Sequence, residues 1–218
     1  NYLKDDEICF GDVLKANGYY AGYIGKWHLD APDGPDVERW QDAVWGTFTP
    51  PGPKRHGFDF WHAYGCHNRH NDPYYWETNA SIEDTLFPRE WSPIHEAKVA
   101  SRFIENNKEK PWALFVSMNP PHGPYKEVPE RYRDIYKNTP IDSLLNRPNV
   151  PEGKSGDKGR NNVLDYFACV SGVDEQIGKI LKKLEETGQA ENTIVVFTAD
   201  HGEMMGSHGR LPFRKQLA

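Results

Sequence analysis

Three short clusters hold the residues whose types could do chemistry: Lys26 with His28, Asn119 with His122, and Asp200 with His201. Asp200 offers a hard oxygen ligand to a cation and His201 a nitrogen ligand. Lys26 is a compact positive charge able to neutralise one oxygen of a phosphate or sulfate. His28 and His122 can exchange protons near neutral pH. The set suits an oxyanion held on a metal ion. Taken singly, each cluster reads better as a solvated polar turn, because a lone surface histidine or lysine rarely catalyses anything.

Position along the chain lifts the set above that reading. Tyr19–Ile24 is rich in aromatic and apolar residues and ends at Gly25, so it predicts a strand with Lys26, Trp27 and His28 just beyond it. Trp112–Met118 is a nearly continuous apolar run, the pattern of a buried strand, and Asn119-Pro-Pro-His-Gly-Pro124 follows it as a rigid turn. Thr193–Thr198 predicts a third buried strand that delivers Asp200 and His201 to its end. Helices are predicted before and between them: Asp6–Asn17 stopped by Gly18 ahead of the first strand, then Ile94–Asn106, and Asn162–Thr187 capped by Gly188, where Val163, Phe167, Val170, Val173, Ile177, Ile180, Leu181 and Leu184 recur three or four residues apart. Strands alternating with helices imply an α/β fold with a mostly parallel central sheet flanked by helices, all three strand ends emerging on one edge. Ligands of open α/β sheets bind outside that edge.

Between the first and second strands, Asp30–Pro93 carries many Pro, Gly, Trp and His residues and little periodicity, which predicts long loops with short strands. Within it, Tyr64–Trp76 combines His67, Arg69 and His70 with aromatics, the mixture that grips a sugar ring, although such a loop can equally pack its own aromatics. The stretch Pro140–Gly159 reads as a polar excursion.

Composition bounds the rest. A chain of 218 residues supports one globular domain by default, and its 13% aromatic content sets it apart from disordered polymers. The formal charge of −6 argues against a nucleic-acid partner. No run is long and apolar enough for a transmembrane helix, and the first residues are too charged for a signal peptide. Cys9, Cys66 and Cys169 lie far apart without a CxxC pair, so spacing supports neither a zinc knuckle nor a disulfide framework.

Gly25-Lys-Trp-His-Leu29 resembles the second signature of the formylglycine-dependent (type I) sulfatases of the alkaline phosphatase-like superfamily. Phe197-Thr-Ala-Asp-His-Gly-Glu203 resembles that family's metal-binding strand end, and Asn119-Pro-Pro-His122 a third family motif. With the helix Tyr166–Asp174 the resemblance spans nearly the whole chain in the expected order. It implies an enzyme that hydrolyses a sulfate ester of a saccharide or related alcohol, with Ca2+ and a formylglycine hydrate as the attacking group. It implies also that Asp200 and His201 ligate calcium and that Lys26 contacts sulfate and nucleophile. His28 then bonds the formylglycine hydrate and His122 faces the leaving oxygen. Lys215 is the expected second sulfate-binding lysine, with Arg210 and Arg214 as alternatives. Export to a bacterial periplasm or medium is the localisation the resemblance implies; the oligomeric state is left open.

The match has gaps. No Cys or Ser stands in a Cys-x-Pro/Ala-x-Arg context, and Asp5-Asp6, which precedes the first helix, reads as a helix-capping pair rather than the family's paired metal ligands. The chain is therefore expected to be a partial catalytic domain, residues 1–218, lacking the nucleophile segment and the smaller C-terminal subdomain, and inactive as written. A phosphodiester or phosphonate hydrolase of the same superfamily, and a non-catalytic binder of sulfated glycans, are the alternative expectations.

Overall fold

The computed structural model describes residues 3–30 and 46–210. Its elements run α1 (Phe10–Ala16), β1 (Tyr20–Lys26), β2 (Phe60–Tyr64), β3 (Trp76–Glu77), α2 (Ser92–Asn106), β4 (Trp112–Ser117), the short α3 (Glu130–Arg133) and α4 (Ile141–Leu144), and α5 (Lys154–Glu186). They fall into two compact units. One holds the chain through Asn119 together with Ile177–Ala190; the other holds Pro120–Gln176 and the chain from Glu191.

The first unit is built on a four-stranded sheet in the order β3-β2-β1-β4. β1 pairs parallel with both β2 and β4, and only the two-residue β3 runs antiparallel. The mostly parallel α/β sheet expected from the alternation of strands and helices is thus present. Alternation along β1 gives each face its own core. Tyr23, with Trp27, Trp61 and Phe58, fills one side; Ile24 packs on the other with Val99 and Ala100 of α2 and Ile180 of α5. Gln189 closes the second face by accepting the Trp112 Nε1–H at 2.8 Å and donating to the Ile104 carbonyl at 3.1 Å.

In the second unit the α5 residues Val163, Ala168 and Cys169 are buried. Arg133 reaches the buried Asp165 carboxylate at 2.7 Å, and the Gln176 amide donates to the Tyr132 hydroxyl at 2.9 Å. These polar contacts tie the α3 segment to α5.

Several boundaries differ from the sequence expectation for identifiable reasons. α1 begins at Phe10 because the Asp12 carboxylate accepts the Cys9 N–H at 2.9 Å, so Asp5 and Asp6 precede the helix without capping it. β1 extends to Lys26, placing that residue on the strand's last position rather than beyond it. α5 starts at Lys154, inside the stretch read as a polar excursion. β4 is an edge strand and only half buried, with Phe115 40% exposed. Thr193–Thr198 forms no strand, and Ile194 and Phe197 are 93% and 79% exposed. Apolar content marks a segment that can be buried; a ladder also needs a neighbour.

Candidate functional site

The parallel register Gly25↔Ser117 brings the C-terminal ends of β1 and β4 to one edge of the sheet. Gly25 has φ +98°, and a Cβ there would lie 2.2 Å from the Ser117 carbonyl oxygen, so only glycine lets β1 turn this close to β4. Pairing with β2 continues past the strand through Trp27 N–H to Tyr64 O at 2.8 Å and His28 N–H to Gly65 O at 3.0 Å. His28, at φ +52°, is therefore held at the same edge as Lys26.

The Lys26 ammonium donates to Asn119 Oδ1 at 3.2 Å and to Asn68 Oδ1 at 3.4 Å. Asn119 in turn donates to the His67 carbonyl at 2.9 Å and to Asn68 Oδ1 at 3.2 Å. These two carboxamides fix the ammonium in place through neutral oxygen acceptors. The same arrangement links the β1 end, the turn after β4 and the loop after β2. Asn68, a loop amide, was not singled out from sequence.

That loop is a layered aromatic platform. The His67 ring stacks on Tyr64 with centroids 3.8 Å apart and lies 4.2 Å from Tyr74. Its Nε2–H donates to the Tyr74 carbonyl at 3.2 Å while Nδ1 accepts the Arg69 N–H at 3.2 Å, which defines a neutral imidazole. Burial, joined by the charges of Arg69 and Lys26 and only partly opposed by the Tyr74 carbonyl, pushes His67 down to about 4. Arg69 is exposed, its guanidinium 5.9 Å from the Tyr74 ring centre and 3.9 Å from Asp72. His70 is fully buried and its carbonyl accepts the Ser92 N–H at 2.7 Å.

Below the platform lies a buried titratable cluster that sequence reasoning missed. The Tyr75 hydroxyl donates to Glu96 Oε1 at 2.8 Å, and burial pushes the Glu96 carboxyl up to about 8. Next to it His62 and His95 meet Nε2 to Nε2 at 2.9 Å, and His95 faces Glu90 at 3.3 Å. The available signal was on α2, where Glu96 stands in line with Val99, Ala100 and Phe103, a carboxyl inside an apolar stripe.

The remaining expected residues belong to the second unit. His122 places Nδ1 2.7 Å from the Gly123 carbonyl, so that nitrogen carries the proton. Asp200 is 86% exposed; its Oδ1 accepts the His201 N–H at 2.9 Å and its Oδ2 lies 3.3 Å from His201 Nε2. Glu203 accepts from the Tyr125 hydroxyl and from Met204 N–H, each at 2.9 Å. Arg210 is exposed, whereas Arg214 and Lys215 lie outside the described residues. A calcium ion takes six to eight oxygen ligands. The Asp200 carboxylate is of the oxygen-donor type such an ion takes, whereas His201 offers only ring nitrogens.

The family model described as Sulfatase matches residues 1–217. The endo-4-O-sulfatase of Bacteroides thetaiotaomicron is 41% identical over 94% of this chain and 42% of its own length. The ulvan-active sulfatase of Formosa agariphila is 36% identical over 100% of this chain and 39% of its own. A solved Bacteroides fragilis structure assigned as a sulfatase superposes with a TM-score of 0.87 at 45% identity, over 95% of this chain and 46% of that one. The chain thus spans about two fifths of the length of the curated relatives it matches.

Proposed function

The chain belongs to the sulfatase family, and from that premise we propose that the protein of which it is part hydrolyses sulfate monoesters carried on a saccharide. The observation that carries this reading is the Lys26 ammonium pinned by Asn68 and Asn119 at the strand edge, beside the aromatic loop that presents Arg69. A sulfuryl group gathers negative charge on its oxygens as the S–O bond breaks, and a pre-positioned ammonium stabilises that charge without reorganising. Arg69, exposed above Tyr74, is assigned to the substrate, while neutral His67 and buried His70 hold the loop in shape. His28 is assigned to proton exchange at the nucleophile. His122, whose Nδ1–H is committed to a carbonyl, is assigned to proton delivery through Nε2 to the leaving oxygen.

Sulfatases generally use Ca2+ and formylglycine; Asp200 and His201 are the residues assigned to the cation, which would supply positive charge to the sulfuryl oxygens. Lys215 is assigned to sulfate by the resemblance alone. The saccharide class follows from relatives named for 4-O-sulfate and ulvan. Export is proposed from the same bacterial relatives; no helix among the described residues is long and apolar enough to cross a membrane. The test is sulfate release by the intact protein from a panel of sulfated oligosaccharides, an aryl sulfate and a phosphodiester. Sulfate release that falls about 100-fold or more in kcat for Lys26→Ala is expected. Cleavage of the phosphodiester with no sulfate released from any substrate overturns the reading.

A further inference from the structure

Away from the strand edge, Cys9, Asp12 and His56 bring a thiol, a carboxylate and an imidazole together although His56 is far from the other two in sequence. Two glycines make the meeting possible. A Cβ on Gly11 would lie 2.3 Å from the His56 carbonyl oxygen, and a Cβ on Gly57, at φ +83°, would lie 2.4 Å from the Gly11 carbonyl carbon. The backbone of α1 therefore rests directly on the His56–Gly57 turn. His56 takes a left-handed backbone, φ +41°, which costs a non-glycine residue free energy and is kept only where the surroundings enforce it.

The outcome is an imidazole only 2% exposed, with Nδ1 3.6 Å from Asp12 Oδ2 and 3.2 Å from the Glu7 carbonyl, and with Nε2 lacking a hydrogen-bond partner among the described residues. Cys9, Asp12 and His56 each offer a ligand atom, and these three atoms all lie within 4.8 Å of one another. A tetrahedral ion with ligands at about 2.0 to 2.3 Å needs them about 3.3 to 3.8 Å apart; His56 Nδ1 and Asp12 Oδ2 already stand at 3.6 Å, and closing the set requires the half-buried Cys9 side chain to rotate inward. Cys9 forms no disulfide.

We propose that Cys9, Asp12 and His56 form a structural site for a borderline transition-metal ion of the Zn2+ class, clamping α1 to the turn before β2. Mixed sulfur, nitrogen and oxygen donors select Zn2+ over Ca2+, which takes oxygen. Entry of the ion deprotonates the Cys9 thiol and releases that proton to solvent, while the imidazole coordinates as a neutral base. The negative charges of Asp12 and Glu7 beside Cys9 favour a cation there.

The inference is independent of the strand-edge chemistry and is tested without activity. Intact protein, stripped with a chelator and kept in excess calcium, is titrated with Zn2+ alone and separately with Co2+ alone. One Zn2+ bound with close to one proton released, and a thiolate-to-cobalt charge-transfer band, are expected. Cys9→Ser should abolish the band and weaken Zn2+ binding about tenfold or more, with Asp12→Asn weakening it similarly. Cys9 is only partly buried, so the serine variant should fold, which its unchanged metal-free melting temperature checks. Absence of the band in the parent protein, or Zn2+ affinity unchanged in Cys9→Ser, overturns the site.

Discussion

Replacing Glu96 by glutamine should reshape the dependence of stability on pH. Glu96 is 0% exposed; Oε1 accepts the Tyr75 hydroxyl, and Oε2 has no hydrogen-bond partner among the described residues. Burial raises the carboxyl to about 8 from an ordinary 4.5, so the folded protein holds it protonated at pH 7 while the unfolded chain ionises it. Between those values the native state binds one more proton, and stability falls as pH rises. The slope is at most about 1.4 kcal/mol per pH unit, giving a loss of roughly 3 kcal/mol between pH 4.5 and 7. His62 works the opposite way. Burial, then the charges of His95 and Arg102, depress it from 6.5 to about 3, and burial lowers His95 too. Both histidines therefore make stability rise with pH up to about 6.5, the ordinary histidine value. The wild type should pass through a maximum near pH 6.5 and decline above it. Glu96→Gln, which cannot ionise yet keeps an oxygen for Tyr75, should climb to pH 6.5 and then stay level. Denaturant midpoints followed by the fluorescence of buried Trp27, Trp61 and Trp91, from pH 4.5 to 8.5, measure this. The difference between the two proteins isolates Glu96 from every other titrating group. Parallel curves across that range refute the reasoning.

Gly25→Ala should cost about 2 kcal/mol or more, read as a lowered melting temperature, because it adds left-handed strain to a collision with Ser117 backbone. His122→Ala in the intact enzyme should slow a sugar sulfate far more than an activated aryl sulfate, since only the poor leaving group needs a proton; equal slowing of both removes the acid assignment. Asn119→Ala should lower kcat on a sulfate ester by about tenfold while the melting temperature moves little, because it frees the Lys26 ammonium and the His67 carbonyl from one shared tether.

The sheet was legible in sequence where burial and pairing coincide. Tyr23 and Ile24 alternate on opposite faces of β1, each with a covering layer, and the apolar run that contains them became a central strand. Trp112–Ser117 and Thr193–Thr198 are just as apolar, yet one is a half-exposed strand and the other forms no strand. Hydropathy records what a residue would gain from burial. It carries no information about which backbone stands alongside, and that non-local fact decides whether a strand forms.

The same distinction governs the sites. Lys26 and Asn119 were singled out because each stands at the end of an apolar run, and parallel pairing then brings the two ends together; their contact at 3.2 Å is a consequence of topology already implied by the strand and helix order. Asn68, Glu96 and the Cys9–Asp12–His56 group follow another logic. Asn68 hangs on a loop whose path is set by aromatic stacking, and loops carry no period from which a position can be counted. Glu96 left one trace, a charge within the buried stripe of α2. His56 left none in spacing, because its approach to Asp12 depends on Gly11 and Gly57 allowing two backbones to touch. A glycine pair reads in sequence as flexibility; only the packed structure reveals it as the contact that assembles a ligand set.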